Sequence, residues 1–551
     1  MTLLRNPVIR GFAPDPSMVR VGDWYYVATS SFEWFPTIPI HRSRDLEHWE
    51  YAGHVQGAVP GDSLAGVPDS GGIWAPSLSW DGERLWVVYS IVHSVGTPYF
   101  DTDTYISTAT EVGGKWTPPR RIASHGFDPA LFHEEGRLWL LNLQNDHRPG
   151  GRRFAGIVVT ELDRETLAPV GDTHLLLQHE RLVEGPKLLK RDGWYFLVLA
   201  EGGTGFEHGV LVARSRRLTG PYELDDRPLL TSRDDPSLPL QKAGHGELVR
   251  TPGGEWLLSH LAARPLATPD GPRCTLGRET AIQAVTWDAA GWPRMRHGGA
   301  HPSVEVEVEG EGEGEGEVKA EVKAEVAVPT DPEPSASQLT ESADPLGWPW
   351  RTLRAAPDPS WADTATRPGW IRLRGRHGPE SRWAHSLLAQ RITEHRTEAE
   401  VTVEARPRTF TQAAGLVLWY NAEAYLALDL TWAEPEGEEQ RGQQWRGEGR
   451  TVLSLMEREE FGTRQAAVVD VDAEGPLTLG VTVEGAEARF WYVQDGERMP
   501  VGPVLDFSKL SDDYGSKLRF TGSMAGIHAV DLVDATFTAD FTGFRLECTP
   551  D

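Results

Sequence analysis

Over the first 300 residues, apolar positions come in short paired bursts: a strand-length run opened by proline or glycine, a glycine-bearing turn, then a second run rich in aromatic and β-branched residues. The unit recurs five times. Asp15-Pro-Ser-Met-Val precedes Gly22-Asp-Trp-Tyr-Tyr-Val, and Ala75-Pro-Ser-Leu-Ser precedes Gly82-Glu-Arg-Leu-Trp-Val-Val-Tyr. Asp128-Pro-Ala-Leu-Phe, Gly185-Pro-Lys-Leu-Leu and Gly246-Glu-Leu-Val open the other three, each followed by its own glycine turn and aromatic run. Pro16, Pro76, Pro129, Pro186 and Gly246 are spaced by 60, 53, 57 and 60 residues, a period that signals a repeat architecture. Each unit reads as an antiparallel hairpin extended by further strands, with no convincing helix between units. Five such units predict an all-β, five-bladed β-propeller over residues 1–300. Proline cannot donate to a sheet ladder and belongs at a strand's first residue. That puts Asp15, Trp74, Asp128, Glu184 and His245 at or just before the starts of five innermost strands, ringing one mouth of the central axis.

The pattern stops near His297. Residues 301–343 alternate Val and Glu, run into Glu-Gly repeats and turn proline-rich. Low hydrophobicity and like charge predict a disordered, self-repelling linker with no strand of its own. From about 344 to 551, period-2 alternation returns in segments such as Ala399-Glu-Val-Thr-Val-Glu and Ala414-Gly-Leu-Val-Leu-Trp-Tyr. This second pattern predicts a β-sandwich without the propeller's repeat.

Composition narrows the function. The formal net charge of −27 argues against nucleic acid, although nine glutamates against two lysines between Val304 and Val328 make part of it local. No apolar run approaches the roughly 20 residues of a spanning helix, and Met1–Arg5 is too short of apolar residues for a secretory leader. Cys274 and Cys548 are the only cysteines and fall in different predicted domains, so no membrane association and a cytoplasmic location are expected. The 21 tryptophans suit sugar stacking as well as a core, and composition does not separate the two.

The chemistry rests on Asp15, Asp128 and Glu184. Singly, an Asp-Pro pair is an ordinary turn dipeptide. Placed by the repeat around one axis, three carboxylates repel, and at least one is expected to hold a proton near neutral pH, as acetal cleavage by an acid and a base requires. There is no His-Glu-x-x-His, Cys-x-x-Cys or Gly-x-Ser-x-Gly pattern to support metal or nucleophile chemistry. Gly202-Gly203 follows a strand of the fourth unit and reads as a tight turn beside the pocket, not as a phosphate loop.

These residues carry a family resemblance. Asn6-Pro-Val-Ile-Arg-Gly-Phe-Ala-Pro-Asp-Pro-Ser, Thr29-Ser-Ser-Phe-Glu-Trp-Phe-Pro, Gly71-Gly-Ile-Trp-Ala-Pro, His125-Gly-Phe-Asp-Pro-Ala-Leu-Phe, Ala200-Glu-Gly-Gly-Thr and Gln241-Lys-Ala-Gly-His-Gly resemble the β-xylosidases of glycoside hydrolase family 43. Phe410-Thr-Gln-Ala-Ala-Gly-Leu and Phe520-Thr-Gly resemble the C-terminal concanavalin-like sandwich of the same enzymes. The resemblance implies an exo-acting, inverting hydrolase that releases xylose from β-1,4-xylo-oligosaccharides. Asp15 would be the general base, Glu184 the general acid, and Asp128 the group that orients Glu184 and raises its pKa. Phe32, Trp74, Phe127, Thr204, His245 and Arg278 would form the sugar pocket, with Phe520 of the sandwich closing one side.

Two departures qualify the resemblance. Lys187 stands where the family's acid motif continues with His, and an ammonium beside Glu184 would favour the wrong ionisation state unless it points away. Ser342-Ala-Asp-Pro-Leu replaces an acidic run at the sandwich's start, which weakens the expectation of a structural calcium and leaves Asp540 as its candidate ligand. No cofactor is expected to be required, and a dimer or tetramer is expected by analogy. The rival readings are an α-L-arabinofuranosidase or bifunctional enzyme and, outside catalysis, a sugar-binding propeller; a retaining fructosidase lacks its Trp-x-Asn-Asp-Pro and Glu-Cys signatures here.

Overall fold

The five predicted units are five antiparallel sheets in the structure, a computed structural model that describes residues 2–309, 346–434, 449–472 and 474–550. Blade I comprises Ser17–Val21, Trp24–Ala28, Pro39–Ser43 and Glu50–His54, and blade II centres on Ser77–Trp80, Leu85–Val92 and Thr102–Ala109. Blade III runs through Ala130–Glu134, Arg137–Asn145, Phe154–Leu162 and Pro169–Leu177; blade IV opens with Val183–Arg191 and Trp194–Glu201, and blade V with Gln241–Arg250 and Trp256–Ala263. Two short 3-10 turns are the only helical segments among the described residues. Hairpin chemistry is local: Glu134 faces Arg137 across Glu135-Gly136, and Arg191 faces Trp194 across Asp192-Gly193. All four turn residues have positive φ, the twist a two-residue hairpin needs.

The first strand of each blade packs against that of the next, and blade V's packs against blade I's, so the ring closes around one axis. The ends of the propeller are stapled together. Thr2–Arg5 pairs antiparallel with Glu305–Val308, and Leu4, Val306 and Val308 are buried with Met18, Tyr25, Leu257 and Ile282 between blades I and V. Asn6 adds side-chain hydrogen bonds with Ile282 and Ser303. This corrects the expected linker boundary. The Val-Glu alternation at 305–308 is a true strand, because its valines bury on one face while its glutamates stay in water; like-charge composition did not reveal the partner 300 residues away. Residues 310–343 of the expected linker lie outside the described residues.

The C-terminal region is a two-sheet sandwich. One sheet is built around Arg396–Ala405, Leu477–Glu484, Glu487–Gln494 and Thr538–Thr549, the other around Gln412–Asn421, Ala424–Ala433, Arg450–Glu459 and Met524–Asp531. Alternate residues such as Ala399, Val401 and Val403 point into the shared core with Leu416, Leu428 and Leu455. The sandwich docks over the propeller mouth. Thr352–Leu353 pairs with Trp34–Phe35, and Phe12, Phe32, Trp34, Leu387, Val417 and Trp419 form one apolar cluster across the junction. At its closest the two backbones touch: a Cβ on Gly277 would lie 2.5 Å from Thr521 O, and one on Gly522 2.6 Å from Leu276 O. Glycine at both positions lets the sandwich reach the carboxylate ring.

Candidate active site

Asp15 and Asp128 stand two residues before their strands and Glu184 is the second residue of its own, but His245 is the fifth residue of Gln241–Arg250 and not at the strand start that the sequence suggested. Asp15, Asp128 and His245 share a left-handed backbone, with φ of 55°, 52° and 48°. Non-glycine residues hold that region only where the surroundings over-determine it. The matching position in blade IV is Gly185, φ 56°, so Glu184 stands one residue earlier in the repeat. A β-bulge accommodates the offset: Glu184 faces Ala200, but Lys187 faces Val198, leaving an extra residue at Gly185-Pro186. Only glycine fits there, since a Cβ on Gly185 would lie 2.6 Å from His245 Nε2. Blade V carries two register shifts around His245 for the same reason of aim.

Asp15 is saturated with donors. Arg278 Nη1 donates to its Oδ1 at 3.0 Å, Ser30 Oγ donates to its Oδ2 at 2.6 Å, and His245 Nδ1 lies 3.3 Å from Oδ1. Arg278 is itself fixed, donating to Thr204 Oγ1 at 2.7 Å and to the Phe520 carbonyl at 2.9 Å. Burial alone would raise the Asp15 pKa, but Arg278, His245 and Ser30 outweigh it and hold the carboxyl well below the usual carboxylate range. Asp15 is therefore an anion at any working pH. Its charge, with that of Asp128, raises the pKa of His245 against the opposing effect of burial.

Glu184 has the opposite surroundings. Burial, then the charges of Asp128 and Asp15, push it up to about 8, with His245 and Arg278 opposing more weakly. Asp128 rises to about 6, chiefly through burial, and its Oδ2 accepts a hydrogen bond from Gly185 N at 3.1 Å, which ties it to the strand carrying Glu184. Near neutral pH the ring thus holds Asp15 and, for the most part, Asp128 as carboxylates and Glu184 as a protonated carboxylic acid.

The walls are aromatic. Phe32 stacks on Phe520 at a centroid distance of 5.9 Å, and Trp74 meets Phe520, Phe127 and Phe100 edge-on at 5.3, 5.1 and 5.5 Å. Trp74 Nε1 donates to Ser70 O, and Ser70 Oγ accepts from Phe520 N, so one serine anchors a propeller wall and a sandwich wall together. The cavity is about 420 Å³, within the usual size for a small-molecule site. All ten residues expected from the sequence line it: Asp15, Asp128 and Glu184, with Phe32, Trp74, Phe127, Thr204, His245, Arg278 and Phe520. Sequence reading missed Phe100, Arg153, Phe154, Leu182, His208 and Leu518. Burial first, then the positive charges of His245 and Arg278, lower His208 to about 3, so it lines the pocket as a neutral ring. The signal for Phe154 and Leu182 was their place at or just before the start of a strand; that for His208 was its position closing the Gly202–Gly205 turn.

Lys187 points away from Glu184. Its Nζ donates to Ser77 Oγ at 2.8 Å and Ser17 Oγ at 3.2 Å and lies 3.4 Å from Glu247 Oε2, deeper along the axis. It lowers the pKa of Asp128 and of His245 and is not among the largest influences on Glu184. Two carboxylate clusters outside the ring are closed to metals by cations of the chain. Both oxygens of Asp540 accept from Arg372, at 2.6 and 2.8 Å, and Arg367 adds a contact at 2.9 Å, so Asp540 does not fit the oxygen-ligand shell of calcium. Cys274, Asp512 and Asp513 converge, but Lys242 Nζ sits 2.9 Å from Asp512 and 2.6 Å from Asp513.

Comparison with known proteins accords with this geometry. Residues 4–293 match the family described as glycosyl hydrolases family 43, and residues 342–547 match the β-xylosidase C-terminal concanavalin A-like domain. The chain is 38% identical to a xylosidase/arabinosidase 43B of Humicola insolens, over 99% of this chain and 97% of that one. It is 36% identical to a xylan 1,3-β-xylosidase of Vibrio sp, over 99% of both. The crystal structure of a xylan β-1,4-xylosidase from Bacillus halodurans C-125 superposes with a TM-score of 0.87 at 38% identity, covering 99% of this chain and all of that one. A five-bladed ring with an ionised and a protonated carboxylate, closed by a concanavalin-like domain, makes this chain a glycoside hydrolase of family 43.

Proposed function

We propose that the protein is an exo-acting β-xylosidase, releasing xylose from the non-reducing ends of β-1,4-xylo-oligosaccharides with inversion. The observation that carries the reading is the split ionisation of Asp15 and Glu184 in a pocket closed by Phe520. Blades I and IV are not neighbours in the ring, so the two groups approach a bound sugar from different sides. The terminal sugar enters against Phe32 and Trp74, with the Arg278 guanidinium on the same wall beside Asp15. Glu184 gives its proton to the glycosidic oxygen as the C–O bond breaks. Asp15 removes a proton from a water that attacks the anomeric carbon from the opposite face, which is single displacement. Asp128 keeps Glu184 protonated until that step. A lid at Phe520 leaves no exit for a longer chain on the glycone side, which favours release of one sugar at a time.

The test is the anomer first released from β-1,4-xylobiose, followed by proton NMR. Early α-xylose is expected; early β-xylose would sink inversion, and turnover of β-1,3-xylobiose in preference would reassign the linkage. An arabinofuranosidase activity is the second reading, supported by the xylosidase/arabinosidase name of a relative covering the whole chain; comparing kcat/KM on 4-nitrophenyl β-xyloside and α-L-arabinofuranoside ranks the two. We also propose that no metal is required, on the strength of the arginines and lysine that occupy the two acidic clusters. Both cysteines are free thiols, which supports a reducing compartment, the cytoplasm.

A further inference from the structure

The proton donor fixes which way the leaving group lies. With the terminal sugar against Asp15, Phe32 and Arg278, all buried, the bond protonated by Glu184 leads outward, towards the more exposed lining residues. Those are Phe100, Phe154, Leu182 and Arg153, contributed by blades II, III and IV or the loops beside them. Arg153 stands at the edge of blade III, its guanidinium 5.8 Å from the Phe100 ring and 5.5 Å from the Phe154 ring. Its Nη2 donates to the Thr97 carbonyl at 3.0 Å.

The charge balance at this mouth is uneven. Arg148 is paired with Asp146, and Arg181 with Glu201 and Glu207. Arg153 has no carboxylate within 4 Å among the described residues, and neither has its neighbour Arg152, which donates to the His179 carbonyl. In a chain of formal charge −27, an arginine lining a sugar pocket without an acidic partner is the exception. A planar guanidinium set between two aromatic rings keeps N–H donors in the plane, the geometry that meets a carboxylate.

We propose that Arg153, framed by Phe100 and Phe154, is a specificity residue on the leaving-group side that favours substrates whose leaving group carries a carboxylate, as in a xylo-oligosaccharide bearing a uronic acid. The proposal rests on the β-xylosidase reading, and the experiment separates the two. The probes are the β-xylosides of 4-hydroxybenzoate and of its neutral carboxamide, with xylobiose as the uncharged natural substrate. The readout is the ratio of kcat/KM for carboxylate over carboxamide in the wild type, Arg153→Gln and Arg153→Lys, at low and high salt. A general loss of activity does not move that ratio, and comparing it between variants cancels the difference in leaving-group acidity. Arg153→Gln is expected to lower the ratio roughly fivefold, the yield of one partly exposed ion pair. Arg153→Lys should keep part of it, and about 0.5 M salt should shrink the wild-type preference. An unchanged ratio in Arg153→Gln, with xylobiose still cleaved by the wild type, overturns this proposal alone. No cleavage of xylobiose or either aryl xyloside by the wild type overturns the β-xylosidase reading and this proposal with it.

Discussion

Asp15 and Glu184 come from the same repeat position give or take one residue, ring the same axis and sit in the same cavity, yet their protons behave in opposite ways. The difference lies in what each neighbourhood supplies. Asp15 accepts from Arg278 and Ser30 and lies beside His245, whereas among the described residues no side chain donates to Glu184, which faces burial and two other carboxylates. Burial alone therefore does not decide protonation; the donors do. A ring of equivalent strand starts is made into an acid and a base by varying what stands one step further out, on blade V and on the sandwich.

Breaking either end of this contrast has the largest effect. Asp15→Asn removes the proposed base and should lower kcat on xylobiose about 10⁴-fold, measured by xylose release, with far-UV spectra checking the fold. Glu184→Gln should cost about 10³-fold on xylobiose and much less on an aryl xyloside whose leaving group needs no proton. Equal losses on both substrates would contradict the assignment of Glu184 as acid.

A smaller effect follows from erasing the donors. Arg278→Met withdraws the guanidinium that holds Asp15 down, so the Asp15 pKa rises and the acid limb of kcat/KM moves to higher pH. In the wild type the alkaline limb should follow Glu184, near pH 8, and the acid limb should lie well below it. A variant that lost activity with both limbs unmoved would show Arg278 acting on the sugar alone.

How much of this contrast was legible in the sequence follows from what each part depends on. The repeat exposed Asp15, Asp128 and Glu184 together because proline and glycine mark strand starts locally, and the family motifs supplied Phe32, Arg278 and Thr204. The sandwich was visible as alternation, but its contact with the site was legible only through the resemblance, since nothing near Phe520 predicts that Gly277 and Gly522 let two backbones touch. The strand at Glu305–Val308 was misjudged for a related reason: its stability comes from Thr2–Arg5, and pairing over such a separation leaves no trace in local composition. Lys187 could not be oriented from its neighbours, because the bulge at Gly185-Pro186 shifts the period-2 rule by one residue.

Stability offers a test independent of turnover. Glu184 has a folded pKa raised above that of an unfolded glutamate, so the native state binds the proton more tightly. The stability this gives is present below the unfolded pKa, near 4.5, and is lost as pH rises through about 8. Glu184→Gln removes the titration, and at pH 8 it should stabilise the fold by up to about 4 kcal/mol relative to wild type, against under about 1 kcal/mol at pH 5. Paired thermal melts at the two pH values check this. Destabilisation of several kcal/mol at both would instead make Glu184 a structural residue.

The smallest effect concerns the charge beneath the ring. Lys187 lowers the Asp128 pKa and is not among the largest influences on Glu184, so its effect on the acid is expected to pass chiefly through Asp128. Replacing it alone would strand Glu247, whose Oε2 already accepts from Ser17 Oγ and Met18 N. The informative variant is therefore Lys187→Met combined with Glu247→Gln. With the ammonium gone, Asp128 holds its proton to higher pH and repels Glu184 less, and Glu184 then ionises earlier. The alkaline limb should fall by less than about one pH unit, a change worth under about 1.4 kcal/mol. A rise of that limb would mean that Lys187 acts on Glu184 directly, as an ammonium lining the pocket would, and would contradict its placement along the axis.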